Sequence, residues 1–264
     1  MTTLVNIGCG ARWHDAWSNF DLVPLDPSIK KFDLRRGLPF GDGEVDAVYH
    51  SHVLEHLSRR DAVALVNECA RVLAPGGVLR VGVPDLEELA RQYLSALEAA
   101  RRGDPGGAGW QEWAVAEMID QLARQQPGGR CAELLTSDDE AVIRHSRERW
   151  GTEADELRAA ALERRRTTAA TPPSFTRRAR SFARARLARF GEHGRVGRYR
   201  LGGEPHLWMY DEVSLTRLLV DSGFTAVTNV TWDQSRIPAW SSFGLEGTAD
   251  SPFKFDTLTL EATR

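Results

Sequence analysis

Gly8-Cys9-Gly10, Asp21, Asp33, His52, His56 and His206 are residues whose types and spacing can support chemistry. A strand ending in Gly-x-Gly can turn sharply and bring its backbone close to a ligand, because no side chain blocks the approach. Residues 4–7, Leu-Val-Asn-Ile, supply such a strand directly before Gly8. A plain strand-to-loop turn is the competing reading. Asp21 lies at the end of a second apolar segment, residues 19–23. A carboxylate there can accept both hydroxyls of a ribose or simply cap the strand. Asp33 with the adjacent N–H can read an adenine amino edge, or it can belong to a surface turn. Histidine is the side chain best matched to taking a proton near neutral pH. His52 follows the apolar segment 46–50, at a strand's carboxyl end. His56 falls one helical turn later. His206 opens a segment that includes Trp208 and Tyr210. Glu55, between two of these histidines, can orient a neighbour or face solvent, and solvent is the favoured reading.

The glycine turn narrows the ligand. A nicotinamide-type fingerprint needs a third glycine three residues after the second, and Trp13 stands there. Only residues 11–17 separate the turn from the next strand, short for a crossover, so the helix N-terminus that would hold a pyrophosphate is poorly provided. A dinucleotide is disfavoured and a ligand without phosphate is not.

These residues need a scaffold that brings strand ends together. Residues 30–32, 46–50 and 78–83 read as further strands, and residues 53–73 carry helical spacing that Pro75-Gly76-Gly77 stops. Helices are expected over 86–102 and 110–126, and from Asp211 through Val220, followed by a strand over 224–232. The alternating segment 255–261 is expected to be the final strand, at the sheet edge. Strands separated by helix-sized segments imply a doubly wound, parallel α/β sheet. Residues 1–95 and 203–264 form that domain, and residues 96–202 are an α-helical insertion capping it. From 164 to 200 the insertion carries about a dozen arginines and one acid, Glu192. Arg177, Arg178, Arg180, Arg184, Arg186 and Arg189, interleaved with Phe175, Phe182, Leu187 and Phe190, fit a basic amphipathic helix. Such a helix can meet an anionic surface or a phosphorylated, lipid-linked acceptor, grip nucleic acid, or present a solvated face.

The bulk properties exclude little else. The chain has 264 residues, 42% hydrophobic and 27% charged, with a net charge of -3, which argues against a wholly basic nucleic-acid binder. The start of the sequence lacks signal-peptide character, and no run has the length of a membrane span. Cys9, Cys69 and Cys131 are too dispersed for a disulfide framework or a zinc site. A cytoplasmic protein without a metal is expected.

Val5-Asn6-Ile7-Gly8-Cys9-Gly10, Asp33-Leu34, Leu38-Pro39-Phe40, Asp46-Ala47-Val48-Tyr49, His52-Val53-Leu54-Glu55-His56-Leu57 and Arg71-Val72-Leu73-Ala74-Pro75-Gly76-Gly77 occur in this order. Together they resemble the class I S-adenosylmethionine-dependent methyltransferases, and in particular members associated with sugar and polysaccharide biosynthesis. Those also carry a segment like Gly203-Glu204-Pro205-His206-Leu207-Trp208-Met209-Tyr210-Asp211. The resemblance covers roughly the first 95 and last 60 residues. It implies a Rossmann-like, seven-stranded, mostly parallel sheet with a reversed last strand. It also implies S-adenosylmethionine as cofactor: Gly8, Cys9 and Gly10 along its methionine part, Asp21 at the ribose, Asp33 and Leu34 at the adenine, and Ser51 with His52 facing the transfer site. Asn6 stands where many relatives have an acid. The family chemistry is an in-line displacement in which the enzyme aligns the reactants and excludes water. A small-molecule or saccharide acceptor methylated on oxygen is the expectation, with His52, His206 or His56 as base. A nucleic-acid methyltransferase is disfavoured, since no Asn-Pro-Pro-aromatic run or Pro-Cys nucleophile is present. A non-catalytic cofactor-binding protein is the third reading.

Overall fold

In this computed structural model, residues 2–169, 194–200 and 202–264 are described. The arginine-rich helix expected around Arg177 to Arg189 lies outside them. The chain divides into two compact units, Met1–Leu89 with Leu207–Arg264, and Ala90–His206.

The first unit holds a seven-stranded sheet built by the described residues. Its strands are β1 (Leu4–Ile7), β2 (Ser18–Asp21), β3 (Lys30–Lys31), β4 (Val45–Ser51), β5 (Leu73–Pro84), β6 (Thr225–Asn229) and β7 (Thr257–Thr263), in the order β3-β2-β1-β4-β5-β7-β6. β1 to β5 pair in parallel, whereas β7 runs antiparallel to both β5 and β6. This is the doubly wound, Rossmann-like sheet with a reversed last strand that the sequence implies. Order reverses between β1 and β4, so their carboxyl ends open on the crevice where ligands bind in such sheets.

The reversed strand is not the edge. β7 is buried along its interior positions and hydrogen-bonded on both sides, while β6 is exposed at four of its five residues. The alternation expected of an edge strand is therefore lost in β7, which has both faces covered.

The long helical segment expected from 53 to 73 is two pieces, a 3-10 turn (Leu54–His56) and α1 (Arg59–Val72). Ser58 separates them: its hydroxyl accepts the Asp61 N–H at 3.2 Å, an N-cap that starts α1 afresh. α1 ends at Val72, and Pro75-Gly76-Gly77 already lies within β5.

Residues 8–17 pass from β1 to β2 as turns and bends. The sheet face left bare by that short crossover is covered from elsewhere. Leu4, Trp17, Ala47 and Tyr49 pack with Ile237, Trp240 and Leu245 from the connection between β6 and β7. Trp17 and Tyr49 meet the Trp240 ring edge-on at 6.1 and 5.0 Å between centroids. Arg80, fully buried on β5, ties this strap down. Its guanidinium donates to the carbonyls of Gln234 (2.7 Å) and Thr231 (3.0 Å), pairs with Glu246 and Glu261, and lies 4.3 Å from the Trp240 ring centroid.

α2 (Leu86–Arg102) carries the chain out of the first unit. The second unit is helical: α3 (Gly107–Val115), a π-helical turn (Ala116–Asp120), α4 (Gln121–Ala123), α5 (Gly129–Leu135), α6 (Glu140–Trp150) and α7 (Thr152–Ala169). The helix expected over 110–126 is thus continuous over 107–123, with a π-helical turn at Ala116–Asp120 inside it. Its core sets Trp113 edge-on to Trp150, and buried Glu117 accepts both indole N–H groups at 3.1 and 3.0 Å. No helix among the described residues is long and apolar enough to cross a membrane.

Candidate active site

The glycine turn and Asp21 form one hydrogen-bonded corner. Gly8 and Gly10 adopt φ of 64° and 50°, the left-handed region that favours glycine. The Gly8 and Cys9 N–H groups donate to the Phe20 carbonyl at 2.8 and 3.2 Å, clasping the turn to β2. Gly10 N–H donates to one oxygen of Asp21 at 2.9 Å, and Val23 N–H donates to the other at 2.8 Å. A Cβ on Gly10 would meet open space, whereas one on Gly8 would strike Val53. The turn therefore leaves its free side at Gly10. Burial, with the Asp21 charge adding to it, pushes the Cys9 thiol up to about 12, so it stays neutral.

Asn6 turns inward. It is 1% exposed and donates to the Arg12 carbonyl (2.9 Å) and the Asn19 side chain (3.2 Å), holding the short crossover in place. Asp33 caps the 3-10 turn Leu34–Arg36 and takes a two-pronged ion pair from Arg35, both contacts 2.8 Å, which holds its carboxyl below the usual range. Leu34 packs against the main core.

The carboxyl end of β4 carries the second cluster. His52 follows it with φ of 55°, a conformation strained for a residue with a side chain. Its N–H donates to the Gly82 carbonyl at 2.9 Å. Its ring is engaged at both nitrogens: Nδ1 lies 3.2 Å from Glu55 Oε1, and Nε2 lies 3.0 Å from Thr257 Oγ1. The Glu55 carboxylate is also 4.0 Å from His56 Nε2. Glu55 is completely buried, which corrects the expectation that it faces solvent; a buried carboxylate needs donors around it. Ser51 is partly buried at the same strand end, and a Cβ on Gly82 would stand 2.6 Å from its hydroxyl. Tyr210 is buried in the core, whereas Trp208 is exposed beneath the Arg59 guanidinium at 4.7 Å. His206 belongs to the second unit, where it is buried and its N–H donates to the Gln121 carbonyl at 2.9 Å.

Thr257 is the residue of this cluster that the sequence reading missed, while Glu55 was weighed as orienting a neighbour and set aside for solvent. The spacing of Glu55 from His52, three residues, was a usable signal. Thr257 carried none, because 205 residues separate it from His52 and the register of β7 brings it there.

Residues 6–81 match the family model described as a methyltransferase domain. A Mycolicibacterium smegmatis protein named "Probable S-adenosylmethionine-dependent methyltransferase" is 44% identical over 59 residues. That match spans 21% of this chain and 22% of the relative's length. An S-adenosylmethionine-dependent methyltransferase structure from Archaeoglobus fulgidus is 11% identical, covering 100% of this chain and 86% of that one, at a TM-score of 0.41. One from Mesorhizobium loti is 15% identical, covering 99% and 90%, at 0.38. The strand order, rather than these distant likenesses, establishes the fold. Residues 6–81 thus carry a methyltransferase-domain match and lie in a sheet with the strand order β3-β2-β1-β4-β5-β7-β6. The residues present fit S-adenosylmethionine: the turn is open at Gly10, and each Asp21 oxygen accepts one backbone N–H and retains a further lone pair.

Proposed function

We propose that the whole chain is an S-adenosylmethionine-dependent methyltransferase that methylates a hydroxyl of a small-molecule or saccharide-type acceptor, in natural-product or glycan biosynthesis. On this reading Gly8, Cys9 and Gly10 run along the cofactor's methionine part. Asp21 takes the ribose hydroxyls, and Asp33 with Leu34 borders the adenine. Ser51 and His52 face the acceptor. The cofactor supplies a methyl group activated on a sulfonium. His52 takes the proton that the acceptor hydroxyl loses, and that oxygen's electron pair would form the new O–C bond as the methyl–sulfur bond breaks and its electron pair leaves with the thioether of S-adenosylhomocysteine.

The observation that carries this reading is His52 itself: an imidazole at the carboxyl end of β4, partly exposed, held in a strained backbone conformation against a buried carboxylate. Strain of this kind persists where the surroundings over-determine it, which is typical of active sites. The test is formation of S-adenosylhomocysteine from S-adenosylmethionine with a panel of hydroxylated acceptors, including nucleotide sugars and lipid-linked saccharides. With the acceptor that turns over, His52→Ala is expected to lower kcat by ~100-fold or more, as loss of a general base does, with cofactor affinity nearly unchanged. Cofactor binding with no turnover on any acceptor would instead make the chain a non-catalytic binder.

A further inference from the structure

We propose that Glu55 and Thr257 are positioning residues that hold His52 as the tautomer with its proton on Nδ1 and its lone pair on Nε2. The inference rests on the reading of His52 as the base. Glu55 Oε1 stands 3.2 Å from Nδ1. An ionised carboxylate only accepts, so its charge favours the hydrogen on the nitrogen facing it. Nε2 is then the acceptor, and the Thr257 hydroxyl, 3.0 Å away, donates to it. A hydroxyl can donate one hydrogen bond while accepting another. Thr257 therefore marks the point at which an acceptor hydroxyl reaches Nε2, either by taking its place or by passing a proton through it. In both routes one proton leaves the acceptor and one arrives on Nε2, and Thr257 ends as it began. The imidazolium that forms lies against Glu55.

The surroundings fix this arrangement. The Glu55 carbonyl accepts the N–H groups of Leu207 (2.6 Å) and Trp208 (3.2 Å), which locks the 3-10 turn carrying its side chain. Thr257 is paired with Pro84 at the start of β7, so its position is set by the sheet. A Cβ on Gly82 would stand 3.1 Å from Thr257 Cγ2, so the corner has no room for a larger residue. Within the first unit, titratable groups facing this pair include His56, across Glu55 at 4.0 Å, His50 and Tyr210, which interact electrostatically with Glu55, and the buried Glu246, which interacts with His52.

The test is long-range proton–nitrogen NMR on the full chain with labelled histidine and bound S-adenosylhomocysteine, His52 being assigned from His52→Gln. At about pH 8, where imidazole is neutral, the wild type is expected to show the Nδ1–H tautomer. Glu55→Gln should give a mixture of tautomers, because its amide can either accept from or donate to the ring nitrogen. Thr257→Val should move the Nε2 resonance and Thr257→Ser should restore it; this pair carries the test if Glu55→Gln does not fold. An Nε2–H tautomer in the wild type, or a Thr257→Val spectrum identical to wild type, overturns the proposal. The expected tautomer without turnover on any acceptor would sink the methyltransferase reading and leave the positioning intact. Turnover with the opposite tautomer would sink the positioning alone.

Discussion

The Asp21 carboxylate accepts the Gly10 N–H at 2.9 Å, so the acid at the end of β2 also braces the turn at the end of β1. One side chain thus braces the turn and, on the proposed reading, also offers its remaining lone pairs to a ribose. Asp21→Ala removes both. It is expected to weaken S-adenosylhomocysteine binding by ~1–3 kcal/mol, the cost of lost hydrogen bonds to a charged group. Titration calorimetry checks this, and an unchanged affinity would rule out the ribose role.

Gly8 and Gly10 should respond differently to alanine. Both carry positive φ, so each substitution strains the backbone by about 1 kcal/mol. At Gly10 the added methyl enters open space on the ligand side, while at Gly8 it strikes Val53. Gly10→Ala is expected to lose cofactor affinity with a small change in Tm. Gly8→Ala should lose more stability, and equal Tm losses would contradict the geometry.

His50 predicts a pH dependence of stability. It is fully buried, and among the described residues neither ring nitrogen has a hydrogen-bond partner. Burial pulls its pKa from 6.5 to about 4, with the Glu55 charge opposing that shift. Between those values the unfolded chain binds the extra proton, so stability is present above pH 6.5 and declines as pH falls toward 4. The loss is up to about 3 kcal/mol from this residue. Urea unfolding at several pH values should give a shallower acid decline for His50→Leu; parallel curves would remove His50 as the cause.

Arg80→Met should release the strap over the short crossover. Arg80 is buried with Glu246 and Glu261 and holds the carbonyls of Thr231 and Gln234. Removing it takes the guanidinium from buried Glu246, while Glu261 keeps Arg236 at 3.4 Å, and is expected to cost about 3–5 kcal/mol. Chemical denaturation measures this, and a loss below about 1 kcal/mol would show that the strap stands without it.

Much of this was legible in local pattern. The glycine turn, the short crossover and the parallel order of the first strands follow from residue type and near-neighbour spacing, because strand ends, caps and tight turns are local physics; the cofactor class came from the resemblance that the ordered motifs carry. Asp21 and His52 were legible for the same reason, each lying just past an apolar strand.

What only the tertiary structure decided depends on residues distant in sequence. Edge and interior strands read alike until their neighbours are known, so β7 took the interior place that its sequence did not announce. The loss of a helix after the glycine turn was visible, but its replacement by Ile237, Trp240 and Leu245 was not, since apolar faces pair by shape and not by order along the chain. Glu55 looked like a solvent residue because charge favours water; a pair of nearby imidazoles and complete burial reverse that expectation. Thr257 reached His52 only because β7 runs backward between β5 and β6, and no local rule encodes that register.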